Sequence, residues 1–151
     1  IEENEIFEKK FTKLWLFNGG AETVVSYTGS SAFSRKKMLD SMPIEHIEFL
    51  KSCLDYYETD KYIFVHGGCD PFKPLAEQSP SNLKWDRTLV NIARACYLNR
   101  ITMPWKKTII CGHSGPNPIL LNNYAMIDVG SPARLICYEA NSREEILAEK
   151  N

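Results

Sequence analysis

No apolar stretch in these 151 residues approaches the roughly 20 residues that a membrane-spanning helix needs. Neither sign of charge is in excess: 18 Lys and Arg stand against 19 Asp and Glu, for a net charge of −1. That balance excludes a general attraction to a nucleic-acid polymer or an anionic membrane surface. The start of the chain carries no secretory signal pattern. There is no internal repeat and no low-complexity linker. An even cysteine count is missing too. Cys53, Cys69, Cys96, Cys111 and Cys137 form an odd set, scattered mostly within apolar runs. Such a set predicts buried free thiols in a reducing compartment, and so a cytoplasmic location.

What is present is ordinary for a globular protein, with 44% apolar and 25% charged residues. The length suffices for one domain with a substantial core, so residues 1–151 are expected to form a single domain. The first residue is Ile1 rather than methionine, as processing, a chosen boundary or an incomplete chain would give.

Hydrophobic spacing outlines the elements. Ile6, Phe7, Phe11, Leu14 and Trp15 predict a helix over residues 5–17, ended by a left-handed glycine in Asn18-Gly19-Gly20 and resumed over 22–27. A loop is expected at 28–31. Pro43 is expected in the first turn of a second helix capped by Asp40 or Ser41, with Ile44, Ile47, Phe49, Leu50 and Leu54 on its buried face. A strand is expected over 61–66. Pro71, Pro74 and Pro80 mark residues 70–82 as an ordered loop. A helix is predicted over 83–98, then strands over 107–111, 125–129 (after the Asn122-Asn123 turn) and 134–139. The polar tail 142–150 reads as helical. The fold class is mixed α/β (α+β), with the late strands in antiparallel hairpins.

Two of the three histidines share one local grammar. Tyr62-Ile63-Phe64-Val65-His66-Gly67-Gly68 and Thr108-Ile109-Ile110-Cys111-Gly112-His113-Ser114-Gly115 each read as a buried strand that stops at glycine and presents an imidazole. Neutral imidazole is the commonest metal-ligating side chain. Sites in layered α/β folds collect at strand ends. His66 and His113 are therefore expected to share a cation site. The third histidine, His46, reads as a solvated residue on the polar face of a helix. Arg87, in Trp85-Asp86-Arg87, is either a phosphate-binding fork near that site or a surface arginine paired with Asp86 or Glu77. Asp70 and Asp128 lie near the same strand ends, where each either orients a ligating histidine or caps a turn. A closed zinc site from His66, Cys69, Cys111 and His113 is a further alternative, because residues two apart on a strand face the same side.

Taken together, these segments resemble the C-terminal portion of a calcineurin-like metallophosphoesterase of the phosphoprotein phosphatase family. The nearest likeness is to the bacterial branch of serine/threonine phosphatases and symmetrical dinucleoside-tetraphosphate hydrolases. Trp15, Gly19-Gly20, Thr23 and Ser26-Tyr27 resemble that branch's Trp-x-x-x-Gly-Gly-x-x-Thr-x-x-Ser-Tyr segment. His66-Gly67-Gly68, followed by Asp70-Pro71, Pro74-Leu75 and Gln78, resembles its His-(Ala/Gly)-Gly region. Trp85-x-Arg87 resembles its Trp-x-Arg motif, Gly112-His113-Ser114 its Gly-His-Thr, and Ile127-Asp128-Val129-Gly130 its late Ile-Asp-Thr-Gly.

The resemblance implies a two-sheet sandwich flanked by helices. It implies that His66 and His113 ligate one of two divalent metals (manganese, iron or zinc) and that Arg87 holds the substrate phosphate. The implied substrate is a phosphorylated protein or a nucleotide, hydrolysed by a metal-activated water. The family's Gly-Asp-x-His-Gly, Gly-Asp-x-x-Asp-Arg-Gly and Gly-Asn-His-Glu motifs do not occur here. The implied partner is therefore an N-terminal half supplied in cis or in trans, and the chain alone is expected to be inactive. Without that half, strands 61–66 and 107–111 are expected to expose an apolar patch. The alternative is a non-catalytic, phosphatase-like interaction or zinc-binding module.

Overall fold

A computed structural model describes residues 10–102, 106–130 and 134–149. The chain is mixed α/β, as expected. The chain divides into two compact units, Ile1–Cys53 and Leu54–Asn151. The division falls where helical spacing gives way to the first strand pairing.

In the first unit, helix over residues 10–15 runs into a π-helical turn, Leu16–Gly20. Asn18 (φ −90°, ψ 31°) and Gly19 (φ 98°) leave helical geometry, so the chain breaks where Asn18-Gly19-Gly20 predicts. The left-handed φ at Gly19 costs glycine little. Residues 5–9 of that predicted helix lie outside the described residues. Helix α1 (Ala21–Thr28) follows and ends on left-handed Gly29. Helix α2 (Arg35–Ser41) was not anticipated; Ser34 Oγ accepts from the Lys37 N–H at 3.3 Å and caps it. Asp40 and Ser41 therefore close α2 rather than open the next helix, and Asp40 pairs with Lys36. Pro43 is itself the N-cap of α3 (Ile44–Ser52), not a member of its first turn. The face expected to be buried on α3 is not: Phe49 is 67% and Leu50 60% exposed. Helical spacing supplies an apolar stripe, but burial needs an opposing surface, which the other helices of this unit do not provide.

The second unit is built on a five-stranded sheet of order β1-β2-β3-β5-β4. Its strands are β1 (Tyr56–Glu58), β2 (Tyr62–Val65), β3 (Thr108–Cys111), β4 (Ile119–Leu121) and β5 (Tyr124–Met126). β1 and β4 were missed because three residues are too few to show a period. β1–β2 and β4–β5 are antiparallel pairs, whereas β2, β3 and β5 run parallel. Thr59 Oγ1 accepts from the Tyr62 N–H at 3.0 Å and turns the first hairpin. Lys107 Nζ meets Glu58 Oε1 at 2.7 Å beside it.

The predicted helix 83–98 is two helices, α4 (Pro80–Trp85) and α5 (Thr88–Asn99). Asp86 Oδ1 makes the break, accepting from the Thr88 N–H at 2.8 Å and its hydroxyl at 2.7 Å. On α5, Leu89, Val90, Ala93 and Cys96 are buried at helical spacing. They pack with Leu83 of α4 and with Val65, Ile109, Cys111, Ile119, Tyr124 and Met126 of the sheet. Full burial of a side chain such as Leu89 contributes about 1.5–3 kcal/mol.

The opposite face of the sheet carries the row Tyr57, Phe64, Ile110, Ala125 and Leu120. Tyr57 is 58% and Phe64 36% exposed, but Ile110 and Ala125 are buried. The expected apolar patch is thus confined to the β1–β2 edge, because β3 is the central strand and its neighbours shield it. A separate hairpin pairs β6 (Arg134–Glu139) with β7 (Glu144–Glu149). The tail expected to be helical is this second strand; cross-strand pairing overrides its weak local preference. The Tyr62 hydroxyl lies 3.0 Å from both Ala140 O and Asn141 Oδ1 and docks the hairpin turn on the unit. No described helix is long and apolar enough to cross a membrane.

Candidate functional site

Parallel neighbours end on the same edge of a sheet. β2 and β3 are such neighbours, in the register Phe64↔Ile110, so the residues just beyond them, His66 and His113, come together. The Gly112 N–H donates to His66 O at 2.8 Å and joins the two strand ends directly. The imidazole centroids stand 5.0 Å apart, inclined at 48°. β5, parallel to β3, brings Asp128 to this edge as well.

The turn after His66 is fixed from below. The N–H groups of Gly67 and Gly68 both donate to Leu83 O, at 2.8 and 3.3 Å. This holds the last turn of α4 against the turn, and the break at Asp86 then leaves Arg87 at the mouth of the site. Arg87 Nη2 lies 3.3 Å from His113 Nε2. A guanidinium only donates, so Nε2 is the acceptor and that ring carries its proton on Nδ1. The Trp85 ring meets His113 edge-on, with centroids 5.0 Å apart.

His113 has a left-handed backbone, φ 65°, uncommon for a residue with a side chain. Its loop is tied on two sides. Asp128 accepts from the Gly115 N–H at 3.2 Å and the Gly130 N–H at 2.9 Å. From α5, Arg94 Nη2 donates to Ser114 O at 2.9 Å. The His113 imidazole has a lowered pKa, chiefly from burial, then from the charges of Arg87 and His66, with Asp128 opposing. It is therefore neutral near neutral pH, the form a cation or a hydrogen-bond donor needs.

Of the residues singled out from sequence, His66, His113, Arg87 and Asp128 assemble on one edge. Asp70 acts locally. Its Oδ1 accepts from the Phe72 N–H at 3.0 Å, Oδ2 lies 3.8 Å from Lys73 Nζ, and its own N–H donates to Gln78 Oε1. Its carboxylate takes the turn-capping role that the sequence left open. In the first unit, His46 Nδ1 lies 2.8 Å from the Tyr27 hydroxyl. Arg94 and Trp85 were not singled out as single residues.

The zinc set His66, Cys69, Cys111 and His113 does not form. Among the described residues, no three His, Cys, Asp or Glu side chains are grouped to hold a metal. Strand alternation stops at Cys111, and the left-handed His113 turns away from the cysteine's side. Cys111 instead faces the core and its Sγ lies 3.3 Å from the Tyr124 hydroxyl. The two imidazoles thus offer ring nitrogens for one part of a cation centre and do not complete it.

Burial raises two of the three buried thiols, Cys69 to about 12 and Cys111 to about 11. At about pH 8, Ellman's reagent should modify exposed Cys53 and Cys137 quickly and leave these two unreacted until the chain unfolds. The unfolded thiol ionises near 9.0, so above that pH the unfolded chain loses protons that the fold retains. The contribution is whole below about pH 9 and falls as pH rises through 11. Urea midpoints at about pH 8 and pH 10.5 should differ accordingly; equal midpoints would count against these thiols being buried.

Comparison of the sequence with protein-family models and with curated proteins gives no match.

Proposed function

We propose that this chain contributes the histidine-bearing part of a metal-dependent phosphoester hydrolase of the calcineurin-like type. The observation that carries the reading is the convergence of His66 and His113 at 5.0 Å with the Arg87 guanidinium 3.3 Å from His113 Nε2. Paired imidazoles beside a planar cationic fork suit a divalent cation next to a phosphate. The cation is manganese, iron or zinc, since ligand type alone does not select among them. Carboxylate ligands come from a further segment, in cis or in trans, and the chain alone is inactive. When bound, the metal supplies charge stabilisation on phosphate oxygens and an activated water.

The chain's own residues have narrower tasks. His66 and His113 present ring nitrogens from two adjacent strand ends, and the His113 Nε2 lone pair that Arg87 meets is the one a cation takes when Arg87 turns to phosphate. Arg87 forks onto two phosphate oxygens. Asp128 and Arg94 hold the His113 loop, and Trp85 walls one side of that ring. The substrate is a phosphorylated protein or a nucleotide, and the free thiols favour a reducing, cytoplasmic setting.

The test is hydrolysis of p-nitrophenyl phosphate with manganese by this chain joined to its carboxylate-bearing segment. Arg87→Ala should lower kcat/KM by about tenfold to a hundredfold, the range for a lost charge-assisted hydrogen bond. Unchanged kcat/KM would reject the role given to Arg87 and weaken the reading with it.

A further inference from the structure

Away from the histidine pair, the second unit holds a cavity of about 360 Å³ between the end of α5, β4 and the β6–β7 hairpin. Its size falls in the range of small-molecule sites. Cys96, Ile101, Leu120 and Leu121 give it an apolar side, while Arg100, Arg143 and Tyr138 give it a cationic and polar rim. Among the described residues, no carboxylate forms an ion pair with either arginine. Arg143 Nη1 lies 3.4 Å from Asn122 Oδ1, which also lines the cavity and orients that guanidinium.

The backbone adds an independent observation. Arg100 (φ 56°) and Arg143 (φ 62°) are both left-handed. Arg100 ends α5, where the Ile101 N–H reaches back to Cys96 O at 2.9 Å. Glycine is the relaxed residue at such a helix end. Arg143 closes the hairpin turn, its N–H donating to Glu139 O at 2.8 Å. Glycine or asparagine is the relaxed choice there too. Two strained arginines facing one cavity mark a place where side-chain chemistry prevails over backbone comfort.

We infer that this cavity binds a small amphipathic oxyanion, a carboxylate or phosphate with an aromatic or branched apolar body. The two guanidinium groups hold the anionic head, and Leu120, Ile101 and Cys96 pack on the body. Bidentate arginine contacts suit either head group. The site is separate from the histidine pair and does not depend on the hydrolase reading.

Calorimetric titration of the chain with benzoate, phenyl phosphate, inorganic phosphate and neutral benzamide tests it. Benzoate or phenyl phosphate should bind at one per chain, and which binds tighter identifies the head group. Inorganic phosphate and benzamide should each bind at least tenfold more weakly, lacking the body or the charge. The double variant Arg100→Gly/Arg143→Gly should weaken binding more than tenfold while its Tm stays level or rises. Arg87→Ala should leave binding unchanged, which separates this cavity from the histidine site. No binding by the native chain, equal binding of inorganic phosphate, or undiminished binding by the double variant would overturn the inference.

Discussion

Gly67→Ala should destabilise the second unit by about 1–3 kcal/mol, the usual cost of overpacking, and more if the backbone does not yield. A Cβ on Gly67 would lie 2.5 Å from Lys84 O, 2.7 Å from Lys84 C and 3.1 Å from Trp85 N. All three are backbone atoms of α4, so no side-chain rotation relieves the clash. The same substitution strains the Gly67 N–H bond to Leu83 O, which holds α4 against the His66 turn. Gly68 is the control. A Cβ there meets the Leu89 side chain at 3.3 Å, a contact that a small shift relieves. Urea melts followed by circular dichroism should therefore show a large loss for Gly67→Ala and a smaller one for Gly68→Ala. Equal midpoints for the two variants would mean that α4 does not pack on this turn as described. The consequence for function is positional: moving α4 moves Trp85 and Arg87, both of which meet His113.

That packing explains why some of the site was legible and some was not. A strand that stops at glycine before histidine is a local pattern, and it occurs twice, so His66 and His113 stood out. Their proximity needed one more fact, that β2 and β3 are parallel neighbours, and the apolar runs of the two strands are compatible with that. Arg87 was different. Hydrophobic spacing reads 83–98 as one helix, which would carry Arg87 away on its surface. Only the Asp86–Thr88 hydrogen bonds break the helix and leave Arg87 at the site, a choice made by one carboxylate. The zinc alternative failed for a similar reason. Counting two residues along a strand puts Cys111 and His113 on one face, but the left-handed φ at His113 ends the count. The short strands β1 and β4, and β7 in the polar tail, depend on their partners more than on their own residues. The exposed face of α3 shows the limit of periodicity, which finds an apolar stripe but not what covers it.

If the proposed function holds, His113→Gly should abolish phosphate hydrolysis by the chain joined to its carboxylate-bearing segment, while leaving the fold as stable or slightly more so. The two halves of this result have separate causes. A non-glycine residue at φ 65° costs about 1–2 kcal/mol, and glycine removes that strain. Glycine also adds about 0.5–1 kcal/mol of backbone entropy to the unfolded chain, so the net change is about 0–1.5 kcal/mol in favour of the fold. The imidazole is only half-buried at the mouth of the site between Trp85, Arg87 and His66, so the packing lost with it is small. With His113 in the proposed ligand role, activity should fall by more than about 100-fold, because loss of a direct ligand exceeds the 10–100-fold cost of losing a group that only orients one. His113→Ala provides the comparison: it keeps the strain, loses the imidazole, and should be equally inactive but less stable than the glycine variant. Thermal melts of the chain and p-nitrophenyl phosphate turnover of the completed protein read the two effects independently. A glycine variant that still turns over substrate would remove His113 from the cation site. A glycine variant that melts well below the native chain would mean that the imidazole serves the fold, and that the left-handed turn is set by packing rather than held for chemistry.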